Sequence, residues 1–253
     1  MITSKKLLKQ KKISHGFFDK IGGKSRGVYK SLNCGLGSND KRNRIKKNLK
    51  IVKDRISKKS KNIFLLHQVH GNNFVFIDKY FRIKQKKIKA DAIITDQRQI
   101  PIAVLTADCV PILLYDNSKN MVAAIHAGWK GAFKEIIKKV INFMLKKGCK
   151  KKNIIAALGP CISQSNYNVK ENFKKKFLKK DKKNSIFFKI KDEIIYFDLP
   201  GFVKSQLKFN RISKIDMLNI DTFVQKNNFF SARRSLRLNH ADYGRNISII
   251  MIN

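Results

Sequence analysis

Two almost wholly apolar runs, VPILLY (110–115) and MVAAIH (121–126), are separated by nothing but the turn formers DNSKN. Runs of this length bounded by Asp, Asn and Ser read as strands, and so short a connection leaves them one arrangement, an antiparallel hairpin. Further β-type runs are FVFI (74–77), DAIITD (91–96), IPIAVLT (100–106), NIIAALG (153–159) and the C-terminal ISIIMIN. Between them, the lysine-rich segments 41–60, 134–152 and 170–183 carry apolar residues at helical spacing. In GAFKEIIKKVINFMLKKG, for example, Ile136, Ile137, Val140, Ile141, Met144 and Leu145 fall on one stripe, and Gly148 is the stop. The order is not a βαβ alternation, so the reading is an α+β fold of mixed β-sheets flanked by helices. No Pro/Gly/Ser-rich linker and no repeat interrupts the chain, and residues 1–253 read as a single domain.

The hairpin carries chemistry at its open end. If Tyr115 faces Met121, Cys109 and His126 meet at the mouth although they are 17 residues apart. In that register their side chains take opposite faces; shifted by one residue they stand directly across, with Cβ atoms about 5 Å apart. Both registers are compatible with the spacing. A thiol and an imidazole so placed suit a nucleophile with its base or two ligands of a soft or borderline metal. The alternative is a buried cysteine that packs as a small hydrophobe. A third donor lies in LLHQVHGNNFVFI, where valine, glycine and two asparagines argue against a helix. Extended, this segment puts Gln68 and His70 on one face and turns His67 away as a packing or surface residue. Beyond His126, Gly128-Trp129-Lys130-Gly131 opens a helix, whose free N–H groups are suited to anions, with Lys130 alongside.

The net charge is +39, which invites a nucleic-acid partner because a basic surface releases counterions on binding phosphates. Only 11 of the 56 basic residues are arginine, however, and lysine is spread over the whole length in company with asparagine, isoleucine and phenylalanine. That is the pattern of A/T-rich codons, and it lacks the planar guanidinium forks of specific recognition. No specific nucleic-acid partner is expected. The four cysteines, Cys34, Cys109, Cys149 and Cys161, are far apart and form no C-x-x-C pair, so reduced thiols and a cytoplasmic location are expected. The N-terminal segment has charge but no signal-like apolar run, and no stretch reaches the ~18 apolar residues of a membrane helix.

The stretches SHGFFDKIGGKSRGVYKSLNCGLGS, LLHQVHG, ADAIITD, LTADCVPILL, AAIHAGWKGAF, ALGPCIS, FFSARRS and DYGRNISII occur in that order from about residue 14 to 250. Together they resemble the laccase-domain family, and the combination of Q-x-H-G, A-D-C-x-P and H-A-G-W-[KR]-G is highly specific. Members of that family are identified as multicopper polyphenol oxidase, as purine nucleoside phosphorylase with adenosine deaminase activity, and as peptidoglycan-editing factor. The resemblance implies a layered α/β/β/α sandwich and makes His70, Cys109 and His126 the metal ligands and catalytic centre. Two His and one Cys with an open fourth position suit catalytic zinc; the same set serves mononuclear copper. With five histidines, the chain is too poor in imidazoles for several copper centres.

The implied activity is zinc-dependent phosphorolysis of adenosine, inosine or methylthioadenosine together with adenosine deamination. The partners are then a purine nucleoside and phosphate, and the protein a monomer or homodimer. The alternatives are a copper-dependent phenol oxidase, an editor of peptidoglycan precursors, and a non-catalytic basic nucleic-acid-binding protein. Substrate-binding candidates are Asn33, Gln68 and Lys130, with Arg233, Arg234 and Arg245 as phosphate or base contacts. Asp108 is a candidate acceptor that orients a ligand imidazole. The chain departs from the family pattern at Asn48-Leu49, where an arginine usually follows the asparagine and Arg44 lies one helical turn earlier. Two further departures are Tyr167-Asn168-Val169 for Tyr-Glu-Val and Trp129-Lys130 for Trp-Arg.

The charge reading is checked by titrating the protein with a fluorescent oligonucleotide. Binding driven by dispersed lysine is expected to disappear as salt is raised, whereas retention at high salt indicates a built nucleic-acid surface.

Overall fold

A computed structural model describes residues 1–82 and 88–253. Its strands in chain order begin with β1 (Ile13–Phe17), β2 (Phe74–Ile77), β3 (Ala92–Thr95), β4 (Ile102–Thr106), β5 (Val110–Asp116) and β6 (Met121–Ala127). They continue with β7 (Ile154–Leu158), β8 (Asn168–Val169), β9 (Phe188–Lys191), β10 (Ile194–Phe197), β11 (Lys214–Met217) and β12 (Asn246–Ile252). The helices are α1 (Lys5–Leu8), α2 (Arg42–Ile56), α3 (Trp129–Phe133), α4 (Ile136–Lys146), α5 (Glu171–Lys180), α6 (Leu199–Phe209) and α7 (Ala232–Arg237).

The hairpin β5–β6 is the centre of a six-stranded sheet ordered β11-β7-β5-β6-β3-β2. The β11–β7 and β2–β3 pairs are parallel and the rest antiparallel, so the sheet is mixed. The hairpin register pairs Tyr115 with Val122 and Asp116 with Met121, one residue from the Tyr115–Met121 pairing considered from sequence. The cause lies in the turn. Asp116 belongs to the strand and not to the loop, and its Oδ1 accepts the amides of Ser118 and Lys119, both at 2.9 Å, and the Ser118 hydroxyl at 2.7 Å. Its side chain thereby closes a four-residue connection.

Side-chain alternation then builds the layers. On one face Ile112, Leu114, Ala123 and Ile125 meet the stripe Ile136, Ile137, Val140, Ile141 and Met144 of α4, with α5 and α6 beside it. On the other face Leu113, Tyr115, Val122 and Ala124 pack on Ile102, Val104, Ile250 and Ile252 of a second, antiparallel sheet ordered β1-β12-β4. The outer face of that sheet, through Ala103, Ile247 and Ile249, is covered by Val52 and Leu49 of α2. This is the α/β/β/α order of layers. Where the sequence stripe suggests one helix after His126, the chain forms two, because Glu135 adopts a left-handed conformation (φ 62) between α3 and α4. The short α3 lies so close to the loop below it that a Cβ on Gly131 would stand 2.7 Å from the Gly71 carbonyl oxygen. The small sheet β8-β10-β9 packs with a cluster of phenylalanines, among them Phe173 and Phe177 from the helically spaced segment 170–183 and Phe197 of β10.

His15 ties the N-terminus to β1. It is 5% exposed, and its Nε2 accepts the Ser4 amide at 2.9 Å, which uses the lone pair that a second proton would need. Burial pushes this imidazole from 6.5 down to about 4. The unfolded chain therefore binds the extra proton first, and stability that is full above pH 6.5 is lost as the pH falls toward 4, by roughly 3 kcal/mol. Urea unfolding at pH 7 and pH 4.5 is expected to show this loss in the wild type and a much smaller one in His15→Gln.

Candidate metal centre

The site lies at the end of the hairpin where β5 begins and β6 ends. His126 stands opposite Pro111, so it shares a sheet face with residue 109, two positions along from 111. Cys109 itself precedes β5 in a turn where Asp108 is left-handed (φ 86). That conformation is held by the Asp108 carboxylate, which accepts the Thr222 hydroxyl and the Arg233 amide, both at 2.7 Å. His70 arrives from the loop before β2, also with a left-handed backbone (φ 56). Its Nε2 lies 3.8 Å from the Cys109 Sγ, and its ring stands 4.6 Å from that of His126, centroid to centroid, at 79°. Sulfur and both imidazole nitrogens lie within 4.8 Å of one another. The three residues drawn together from sequence do converge.

A fourth residue, Asp91, was not singled out from sequence. It is fully buried at the start of β3, and its Oδ1 receives Nδ1 of His126 at 2.8 Å and the backbone N–H of His70 at 2.9 Å. Oδ2 receives the amides of Gly71 at 2.6 Å and Val69 at 3.2 Å. The available signal was a carboxylate opening the otherwise apolar run DAIITD, a charge that burial requires to be paired. Burial pushes Asp91 up, but the bond and the charge of His126 and the two loop amides outweigh it, so its pKa lies below the usual carboxylate range. Burial likewise pushes the Cys109 thiol up, and His126 and then His70 more than reverse this, bringing it down to about 6. His126 moves the other way, to about 9: burial lowers it, and the Cys109 thiolate and Asp91 raise it further than burial depresses it. Cys109 and His126 thus draw each other toward their charged forms, against the effect of burial.

The donors fit a metal ion. Ligand bonds of about 2.0–2.3 Å put tetrahedral N and S donors about 3.3–3.7 Å apart, close to the observed His70–Cys109 separation of 3.8 Å. Space for the ion is secured by Gly128, whose backbone (φ −72, ψ 165) any residue can adopt. A Cβ there would lie 2.9 Å from both the Cys109 Sγ and the His70 Cδ2 and 3.7 Å from the His126 Nε2. This glycine is required for room and not for conformation. Among the described residues His70, Cys109 and His126 form the one such cluster. His15 and His240 do not line the cavity above it.

That cavity encloses about 390 Å³ between the ligands and the walls Leu36, Leu65, Leu105, Tyr243 and Arg245. The remaining sequence candidates divide sharply. Arg245 is in the wall, stacked over Tyr243 at 4.5 Å and bonded through Nη1 to Asp242 and the Tyr243 carbonyl. Gln68 is also in the wall, yet both ends of its amide are used on the backbone of Leu105. Asn33 is buried and shapes the 33–40 loop: Oδ1 accepts the amides of Gly35 and Arg245, and Nδ2 donates to Ser38 and Asp40. Arg234 donates to the carbonyls of Thr222, Phe223 and Phe229, and Arg233 bonds Asn168 and stacks on Tyr167. Lys130 lies outside the cavity wall with its ammonium over Trp129. Asp108 bonds neither imidazole; Asp91 holds the position proposed for it. Arg44 opens onto a separate cleft with Arg26 and Tyr29, so it does not replace an arginine at Leu49. His67, read as pointing away, is exposed at the cavity rim.

The cradle is tested by Gly128→Ala. The variant is expected to keep its unfolding midpoint within about 1 kcal/mol of wild type and to lose stoichiometric zinc in equilibrium dialysis. Full zinc occupancy in a folded Gly128→Ala protein contradicts the placement of the ion.

Comparison with known proteins finds relatives along nearly the whole chain. A family model described as multi-copper polyphenol oxidoreductase laccase matches residues 14–253. A Rickettsia conorii protein named purine nucleoside phosphorylase is 39% identical over 191 residues, covering 75% of this chain and 77% of that one. A protein of the same name from Bacteroides thetaiotaomicron is 30% identical and covers 92% of this chain and 91% of its own. Among solved structures, Bacillus licheniformis YfiH superposes with a TM-score of 0.87 at 26% identity, over 95% of this chain and 93% of that one. A Neisseria meningitidis protein gives 0.84 at 26% identity, over 96% and 95%. Matched along nearly its whole length, the chain belongs to the multi-copper polyphenol oxidoreductase laccase family.

Proposed function

We propose that this chain is a zinc-dependent purine nucleoside phosphorylase that also deaminates adenosine. The observation that carries the reading is a three-donor cradle whose open side faces a cavity of about 390 Å³ with apolar walls and one cation. Relatives named purine nucleoside phosphorylase support the choice of substrate. Zinc held by His70, Cys109 and His126 supplies Lewis acidity beside the reacting atoms.

The chain's own groups do the rest. Leu36, Leu65, Leu105 and Tyr243 take the purine and keep water from it, since a base buries two apolar faces. Arg245, already oriented by Asp242, offers its remaining N–H groups to an anionic oxygen. Phosphate so held attacks C1′ as the bond from C1′ to the purine nitrogen breaks, and the base leaves with a proton. For deamination the attacking group is water at C6 and the leaving group ammonia. Holding both reactants in one cavity removes much of the entropic cost of their meeting. Four unpaired cysteines agree with a reducing, cytoplasmic setting.

Purified protein with adenosine and phosphate is expected to release adenine and ribose 1-phosphate, and without phosphate to release inosine. Cys109→Ala is expected to lower kcat/KM for both by a hundredfold or more, roughly the worth of several kcal/mol of Lewis-acid stabilisation. Unchanged rates in that variant remove the metal from the reaction. Stoichiometric copper with phenol oxidation, and no nucleoside turnover, selects the oxidase instead.

A further inference from the structure

We propose that Asp91 is the positioning residue of the metal centre, one carboxylate that aims the His126 ring and shapes the loop that carries His70. The proposal rests on the metal-dependent reading of the site and not on the choice of reaction. Oδ1 is shared between the Nδ1–H of His126 and the backbone N–H of His70, so the two ligands are referred to a single oxygen atom. With its proton on Nδ1, His126 keeps the Nε2 lone pair for the cradle. Oδ2 collects the amides of Val69 and Gly71, and these three consecutive N–H donors hold His70 in its left-handed backbone. Such a conformation is costly for a residue with a Cβ unless its surroundings fix it. The main chain adds a further tie, because the His126 amide donates to the Asp91 carbonyl at 2.8 Å.

An isosteric amide cannot reproduce this pattern. All four groups directed at the carboxylate are donors, so Asp91→Asn must turn its NH₂ toward one pair of them. Placed at the Oδ2 position, it opposes the N–H groups of Val69 and Gly71 and releases the loop with His70. Placed at the Oδ1 position, it opposes Nδ1 of His126 and drives that ring's proton onto Nε2, the atom meant for the metal. In either orientation one ligand is lost or misdirected.

The test measures metal binding alone, so its outcome is separate from whether nucleosides are the substrate. Zinc affinity is measured by competition with a chromogenic chelator, and cobalt is loaded for its visible spectrum. Asp91→Asn is expected to raise the zinc dissociation constant about 10–100-fold and to alter the sulfur-to-cobalt charge-transfer and tetrahedral ligand-field bands. The control is Asp216→Asn, a carboxylate on the edge strand β11 whose Oδ2 contacts with the Ser4 hydroxyl and the Lys6 amide an asparagine oxygen can keep; it is expected to bind both metals as wild type does. Wild-type zinc affinity and an unchanged cobalt spectrum in folded Asp91→Asn overturn the proposal. So does an equal loss in Asp216→Asn, which would mark a general effect of removing a carboxylate charge. If Asp91→Asn does not fold, the histidine ring ¹⁵N spectrum of the zinc-loaded wild type decides: a proton on Nδ1 of His126 is expected, and zinc on Nδ1 overturns the assignment.

Discussion

The register of the β5–β6 hairpin is the constraint on which the rest depends. Side chains alternate with a period of two, so a slip of one residue sends every one of them to the other face. Here Asp116 fixes the register at the closed end by capping its own turn. The consequence appears at the open end, where His126 and residue 109 come out on the face turned toward the second sheet. Apolar residues on both faces make the register expensive to change: Ile112 and Leu114 serve the helical side while Leu113 and Tyr115 serve the sheet side. Packing energy distributed over the whole hairpin thus becomes positional accuracy for two ligands.

The first layer of this was legible in the chain. The hairpin, its flanking strands and the α4 stripe follow from apolar runs and turn formers, and the three ligands from motifs whose residue types match a metal's donors. The hairpin register differed by one because the sequence does not say whether an aspartate at a strand end belongs to the strand or to the loop. Asp91 escaped notice for a related reason. One carboxylate before a strand looks like any turn residue until the fold shows four donors directed at it. Gln68 and Asn33 suggest substrate contacts as polar groups in motif-rich loops, and Arg233 and Arg234 as two of only 11 arginines. Most of their hydrogen bonds end instead on nearby backbone, as loops without regular structure require.

The charge of the chain also takes a different meaning once it is placed. Among the described lysines and arginines, Arg245 is the one in the wall of the metal cavity. Excess lysine therefore gives the molecule a field that raises the local concentration of anions everywhere, while selectivity has to come from a single oriented guanidinium. Asp242 matters more than its size suggests. It orients Arg245, and its other oxygen accepts the Tyr29 hydroxyl and the Asn39 amide, so the cation and the 33–40 loop that forms the facing wall move together.

The donors of the centre are held by the protein's own hydrogen bonds and charges. Cys109 and His126 draw each other toward their charged forms, and the Asp91 carboxylate sits behind the imidazole at Nδ1. An ion held there would take the Cys109 sulfur and the His126 Nε2, with the carboxylate bond at Nδ1 left to orient the ring. Gly128 leaves the space between sulfur and ring clear. What the fold supplies is a site assembled before the ion arrives, with the left-handed backbones of His70 and Asp108 as the strained points, each held by buried carboxylate hydrogen bonds.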